Sequence, residues 1–374
     1  MSERLLHTPE GVRDIYGNEY AKKVRVESML RDKIHRFGYE DIQTPNFEFF
    51  DVFSKETGTT PSKELYKFFD KEGNTLVLRP DFTPSIARCA AKYFMYDEFP
   101  IRFCYEGKTF TNNSNLQGKL KEVTQMGAEL INDGSVEADA EIIALVIEAL
   151  FHTGLTEFQI SVGNVEYFKG ICAEAGIDEE TELELRDKIS GKNYFGAEDL
   201  LLEKKIDEKD RESLLSATEL YGSIDIIKEA SKKDLNERSK AALEKLEKLH
   251  KVLTMYGVEK YVSYDLGMLS NYNYYTGIIF KAYTYGVGDA IVKGGRYDNL
   301  LSRFGKKASA VGFMVVVDDL LSAMNRQNIM IQMPEKVITV SYNESNFEQK
   351  LHEVKCLRLE GRKVALVPDT KNIK

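Results

Sequence analysis

The 374 residues contain no tryptophan, only eight prolines and four cysteines. Cys89, Cys104, Cys172 and Cys356 lie far apart and form no Cys-x-x-Cys pair, which argues against a structural zinc site and a disulfide scaffold. They read as core or incidental thiols. The five histidines (His7, His35, His152, His250, His352) are equally scattered, none is read as having a second ligand at i+3 or i+4, and no protein-held metal is expected. Long apolar runs are missing too. Residues 142–150 are interrupted by Glu148 and fall well short of the ~20 residues that cross a bilayer, so no membrane association is expected. The N-terminus (Met1-Ser2-Glu3-Arg4) leads into polar sequence without an apolar centre, which speaks against a secretory signal and makes the cytoplasm the default compartment. Positive charge is not in excess either. With 51 Lys+Arg against 60 Asp+Glu the formal net charge is -9, whereas a polyanion partner needs a concentrated basic surface, so no nucleic-acid partner is expected. Only residues 352–374 are locally basic.

What remains is an ordinary globular composition, 43% apolar and 30% charged, long enough for two or three domains with a sizeable core. Six of the eight prolines fall within the first 100 residues and the next is Pro334, so the middle can hold long uninterrupted elements. Tyr20, Val24, Met29, Leu30, Ile34 and Phe37 recur at a helical period, with Gly38 just past the helix end. Residues 39–45, 101–105 and 121–131 read as strands, the last two joined by a polar loop over 111–118 that is long for a plain hairpin. Ser135, Glu137 and Asp139 suit the start of a helix reaching about His152, and 158–162 is another strand. Between about 165 and 257 Glu, Lys and Leu dominate at helical spacing, which predicts a helical insertion. Strand patterns return at 260–264, 277–285, 290–292 and 310–317, and the chain after Pro334 reads strand, helix, strand. The expected division is therefore 1–164 and 257–328 as one core, 165–256 as a mostly helical insertion and 329–374 as a short, partial α/β tail.

Four constellations carry chemistry. Asp81 and Thr83 stand two apart in Leu78-Arg79-Pro80-Asp81-Phe82-Thr83 and project from one face of an extended backbone, where they can hold an ammonium group or cap the following helix. Gln125 and Glu129, four apart, share a face of a helix or a strand and offer an amide and a carboxylate. Tyr272, Tyr274 and Tyr275 crowd more phenol hydroxyls together than a core tolerates without partners. Gly294-Gly295-Arg296-Tyr297-Asp298 reads as a turn bringing backbone close to a neighbour, without the spacing of a phosphate loop.

In this order, with Thr8-Pro9-Glu10-Gly11-Val12-Arg13-Asp14 at the start and Val311-Gly312-Phe313 near the end, these pieces resemble the class II histidyl-tRNA synthetase catalytic core over about residues 5 to 325. The resemblance implies an α+β fold, an antiparallel sheet flanked by helices, a homodimer built around residues 19–45 and a histidine pocket. Carried over residue by residue, it implies that Asp81, Thr83 and Gln125 hold the α-ammonium while Glu129 and Tyr275, beside Tyr274, bond the imidazole. A neutral imidazole offers one donor and one acceptor, which a carboxylate and a phenol can read. Asp81 is shorter than the glutamate usual in the synthetases.

The adenylation cations depart from that pattern. Thr111 stands where the synthetases carry an arginine, Ser270 replaces another, and Asp319, beside Asp318, replaces the arginine that closes the third motif. Fixed cations of this kind are worth roughly 3 to 4 kcal/mol each in a transition state, and Lys119 and Lys121 are flexible point charges rather than bidentate guanidiniums. A synthetase-like core that keeps the amino-acid pocket and loses these arginines resembles the regulatory subunits of ATP phosphoribosyltransferase, the first enzyme of histidine biosynthesis. That likeness implies no catalytic residue and no cofactor in this chain, a hetero-octamer with the short catalytic subunit, activation of that subunit, and allosteric feedback by histidine. A divergent or truncated histidine-tRNA ligase is the alternative, and a synthetase-like module with an unrelated task is a third reading.

Overall fold

The computed structural model describes residues 6–54, 60–113, 120–233, 235–269, 274–333 and 336–369. The chain opens with α1 (Gly17–Arg36), whose Val26, Leu30 and Ile34 recur at helical spacing and are fully buried. Gly38, at a φ of +80°, returns its N–H to the His35 carbonyl at 2.9 Å and ends the helix. The strand expected over 39–45 is cut to β1 (Glu40–Asp41). The reason lies further along the chain, because the Arg79 guanidinium takes the carbonyls of Thr44 and Pro45 that a longer strand would have used.

Next come β2 (Phe47–Phe49), β3 (Lys67–Phe69) and β4 (Thr75–Leu78), a small antiparallel sheet ordered β2-β4-β3. The core continues with α2 (Thr83–Tyr93), β5 (Ile101–Phe110), β6 (Glu122–Ile131), α3 (Val136–Thr153) and β7 (Phe158–Asn164). Residues 165–256 form α4 (Val165–Glu174), α5 (Glu179–Ser190), α6 (Tyr194–Glu203), α7 (Glu208–Ala217), the two-residue β8 (Tyr221–Gly222), α8 (Asp225–Ala230) and α9 (Glu237–Tyr256). Then follow β9 (Val262–Asp265), β10 (Ile278–Thr284), β11 (Val292–Arg296), β12 (Ala310–Val316) and α10 (Val317–Arg326), and finally β13 (Ile338–Tyr342), α11 (Phe347–Leu359) and β14 (Val364–Pro368). Helix starts follow local chemistry. Ser135 caps α3 by accepting from the Ala138 N–H at 3.1 Å, and Asn164, Asp178, Asn193, Asp207 and Asn236 cap α4, α5, α6, α7 and α9 in the same way.

The main sheet has nine strands in the order β1-β5-β6-β12-β11-β10-β7-β9-β8. Its middle, from β5 to β7, is antiparallel, whereas β1 joins β5 and β9 joins β7 in parallel. The sheet is thus mixed at its flanks, and with helices against it the fold is α+β. No helix among the described residues is long and apolar enough to cross a membrane.

Alternation along β6 sets the two faces. Met126, Ala128 and Leu130 enter the large core under α1, α3, α9 and α10, while Gln125, Gly127 and Glu129 point to the other face. Apart from Val165, the buried apolar residues of 165–256 join that same large core; these helices pack on one another, and α9 carries them onto β7 and α3. On the opposite face a second core gathers Phe82, Ile86, Tyr105, Tyr274, Tyr275 and Tyr297 around a cleft. The C-terminal β13, α11 and β14 keep a small core of their own, Val340, Val354 and Val364.

Candidate functional site

The cleft lies over β6, β12 and β11 as a recess partly open to solvent. Its floor is one cross-strand row in which Glu129 faces Gly312 and Gly312 faces Gly295. The glycines are a steric requirement. A Cβ on Gly312 would stand 1.6 Å from Glu129 Oε2, and one on Gly295 would stand 2.7 Å from the Tyr275 ring. The Gly294-Gly295 pair, expected as a turn, sits inside β11, where the missing side chains leave room for Phe280 and Tyr275.

Glu129 is the centre of the site. It is 1% exposed, its Oε1 accepts from the Thr83 hydroxyl at 2.9 Å, and its Oε2 accepts from the Tyr297 hydroxyl. Burial raises its pKa to about 8; the two hydroxyl donors pull the other way and the nearby Asp81 carboxylate adds to the rise. Burial and the Glu129 charge likewise push the Tyr297 phenol well above its ordinary value. Tyr297 was not among the residues expected here. It follows Gly295 by two positions at the end of a strand, so a period of two would have placed it on the same face.

All six expected residues line this one cleft: Asp81, Thr83, Gln125, Glu129, Tyr274 and Tyr275, joined by Tyr297, Thr60 and Lys293. Thr83 lies at the start of α2, delivered by Pro80 and Asp81 after β4, and its side chain bonds Glu129 instead of capping the helix. Asp81 Oδ1 accepts from the Thr83 N–H at 3.3 Å, so the helix-start reading of this pair also holds in part. Gln125 is 7% exposed and its Oε1 has no hydrogen-bond partner among the described residues. A buried acceptor left open costs about 1 to 3 kcal/mol, which a ligand donor would recover. The Tyr274 and Tyr275 rings lie 4.7 Å apart, and Tyr274 meets Tyr297 edge-on at 5.8 Å. A stack of the Arg79 guanidinium on Phe82 (3.8 Å) and Phe82 on Tyr105 (4.5 Å) supports the wall. In sum the cleft offers two carboxyl groups, an amide carbonyl and phenols, a donor and acceptor set suited to a small zwitterion with a heteroaromatic side chain.

Arginines near the cleft are committed elsewhere. Arg79, 3% exposed, donates to the carbonyls of Thr44, Pro45 and Lys108, and burial lowers its pKa to about 10. Arg296 bonds Asp139 and Asp298 and the carbonyls of Asp133 and Ser135. Lys293 reaches Asp289 at 3.1 Å. Asp318 begins α10, pairs with Lys23 of α1 at 2.7 Å and accepts from the Thr124 N–H at 2.6 Å. Thr111 donates its N–H to the Lys121 carbonyl at 2.9 Å. Ser270, Tyr272, Lys119 and residues 114–118 of the polar loop lie outside the described residues.

Two groupings of metal-ligating side chains correct the spacing argument. His352 and Cys356 are four apart on α11, with Nδ1 and Sγ at 3.7 Å, and the described residues His35, Asp41 and Cys104 bring one ligand atom each within 4.8 Å of one another. The second grouping is assembled by the fold and has no sequence spacing to betray it.

The histidyl-tRNA synthetase family model matches residues 11–320. The ATP phosphoribosyltransferase regulatory subunit of Acetivibrio thermocellus is 42% identical over 361 residues, covering 96% of this chain and 86% of the relative. The protein of the same name from Ruminiclostridium cellulolyticum is 41% identical over 373 residues, covering all of this chain and 89% of the relative. A crystal structure described as an ATP phosphoribosyltransferase regulatory subunit/histidyl-tRNA synthetase from Bacillus halodurans superposes with a TM-score of 0.86 at 32% identity, covering 97% of this chain and 93% of that one. The open, carboxylate-bearing cleft on a class II type sheet and these matches lead to one assignment: the chain belongs to the histidyl-tRNA synthetase family and, within it, to the ATP phosphoribosyltransferase regulatory subunits.

Proposed function

We propose that this chain serves histidine biosynthesis as a non-catalytic subunit that binds and activates a short-form ATP phosphoribosyltransferase catalytic chain and senses histidine for feedback. The observation that carries the sensing role is the recess itself, in which Glu129 is held by Thr83 and Tyr297 beside the open acceptor of Gln125. Histidine fits this arrangement: its α-ammonium meets Asp81, Thr83 and Gln125, and its imidazole meets Glu129 and Tyr275 under Tyr274. Among the described residues lining the cleft the single cation is Lys293, a poor clamp for a triphosphate, which supports a site that binds an amino acid without activating it. The replaced synthetase arginines at Thr111, Ser270 and Asp319 point the same way.

The reading includes a hetero-octamer with the catalytic chain, a homodimer through residues 19–45 and a cytoplasmic location. Exposed Tyr20 and Val24 on α1 give the homodimer face apolar area to cover. Histidine can act allosterically only to the extent that it binds the less active state of the assembly more tightly.

The test mixes the purified chain with a short-form catalytic subunit and measures phosphoribosyl transfer with and without histidine. A rise in turnover on mixing, reversed by histidine and insensitive to it in a Glu129→Ala variant, is the expected result. No complex on size exclusion and no rise in turnover would overturn the reading. Histidine-dependent exchange of pyrophosphate into ATP by the chain alone would instead identify a histidine-tRNA ligase.

A further inference from the structure

We propose that His35, Asp41 and Cys104 form a binding site for a borderline-soft divalent metal ion, with zinc the best match, on the face of the main sheet opposite the cleft. Three separate segments converge there. His35 lies in the last turn of α1, Asp41 on β1 and Cys104 on β5, and Asp41 and Cys104 face each other directly across the parallel pair. The turn at Gly38 folds β1 back so that His35 Nε2 stands 3.2 Å from Asp41 Oδ1, and Cys104 lies opposite Asp41 in the strand register. All three ligand atoms lie within 4.8 Å of one another. Small side-chain shifts bring them onto one ion.

The donor set decides the class of metal. Imidazole, carboxylate and thiolate together suit zinc, and cobalt(II) as its spectroscopic substitute, whereas magnesium and calcium prefer oxygen alone. Three protein ligands leave a fourth position for water. In a single chain the side chains of His35 and Asp41 are 40% and 57% exposed while Cys104 is fully buried behind them, and both exposed ligands lie within the 19–45 segment of the proposed homodimer, whose packing sets the access. That asymmetry shelters the sulfur. Arg31 stands 3.7 Å from Asp41 and opposes an incoming dication, but it also pairs with Glu106, which retains it when Asp41 turns to the metal. The bound ion would replace the thiol proton, released to solvent, and tie the end of α1 to β1 and β5.

Cobalt(II) titration of the full chain tests this. A thiolate-to-cobalt charge-transfer band in the near ultraviolet, saturating at one equivalent, is expected in the wild type and in Cys356→Ser, and is lost in Cys104→Ser. The Cys356 control separates this site from the His352 and Cys356 pair on α11. His35 is exposed, so His35→Gln should leave the fold intact while weakening zinc binding by at least about 100-fold in competition with a chromophoric chelator. Zinc is also expected to raise the thermal midpoint of the wild type over that in EDTA, with no such rise in His35→Gln. A missing band, a band that survives Cys104→Ser, or unchanged zinc affinity in His35→Gln overturns the proposal.

Discussion

Glu129 has an ordinary carboxyl value of 4.5 in the unfolded chain and about 8 in the folded one. Below about pH 4.5 both states hold the proton. Between these values the unfolded chain releases it first, so the folded state loses stability as pH rises through this window and levels off above about 8. At about 1.4 kcal/mol per pH unit the fall reaches at most about 5 kcal/mol. Glu27 and Asp139, raised by burial to about 7 and about 6, push in the same direction, so the whole protein's profile is not diagnostic. The difference between wild type and Glu129→Gln isolates the site. Urea unfolding at pH 5, 6.5 and 8 should show a gap that grows in the variant's favour with pH, and a gap independent of pH would place the Glu129 proton elsewhere. A ligand that donates to Glu129 stabilises its charged form, so histidine binding should release a proton near pH 7, measurable by calorimetry in buffers of different ionisation enthalpy.

At the scale of elements, the ion pair of Lys23 and Asp318 joins α1 to α10 with both side chains nearly buried, at 4% and 6% exposure. Removing one partner strands the other. Asp318→Ala should cost about 3 to 5 kcal/mol, whereas Asp318→Asn keeps an acceptor for the Thr124 N–H and should cost less. Equal losses in thermal melts would show that charge contributes little here. The element scale also shows what the sequence could reveal. The cap of Ser135, the period of α1 and the glycine after it were legible because each is local chemistry. Gln125 and Glu129 were placed on one face before their element was certain, since a spacing of four serves a helix and a strand alike. The short β1 and the strand holding Gly294 and Gly295 were not legible. Arg79 decides the first, and the packing of Phe280 and Tyr275 against Gly294 and Gly295 decides the second, neither of which a local motif reveals. Tyr297 was hidden for the same reason, its role depending on a glutamate on another strand.

Across the whole molecule, the apolar interior divides unevenly between the two faces of the main sheet and the C-terminal β13, α11 and β14. In that last unit Val354 is the buried residue of α11, and Val340 and Val364 complete its core. So few buried side chains supply little hydrophobic free energy against the entropy of ordering about 30 residues. The unit should therefore open locally, its amides exchanging well before those of β6 and β12 at the centre of the sheet. The cleft draws its lining from residues 60–314 alone, and none of its walls comes from the C-terminal unit. Deleting residues 334–374 is accordingly expected to leave histidine binding within about twofold of the full chain, the scatter of distant and independent sites. Hydrogen exchange followed by mass spectrometry and titration calorimetry on both chains would measure the two effects. If the shortened chain still binds histidine but no longer activates the catalytic subunit, sensing and coupling reside in different parts of the molecule. If histidine binding is lost as well, the cleft depends on a unit that shares no core with it, and the two faces of the sheet are less independent than their packing implies.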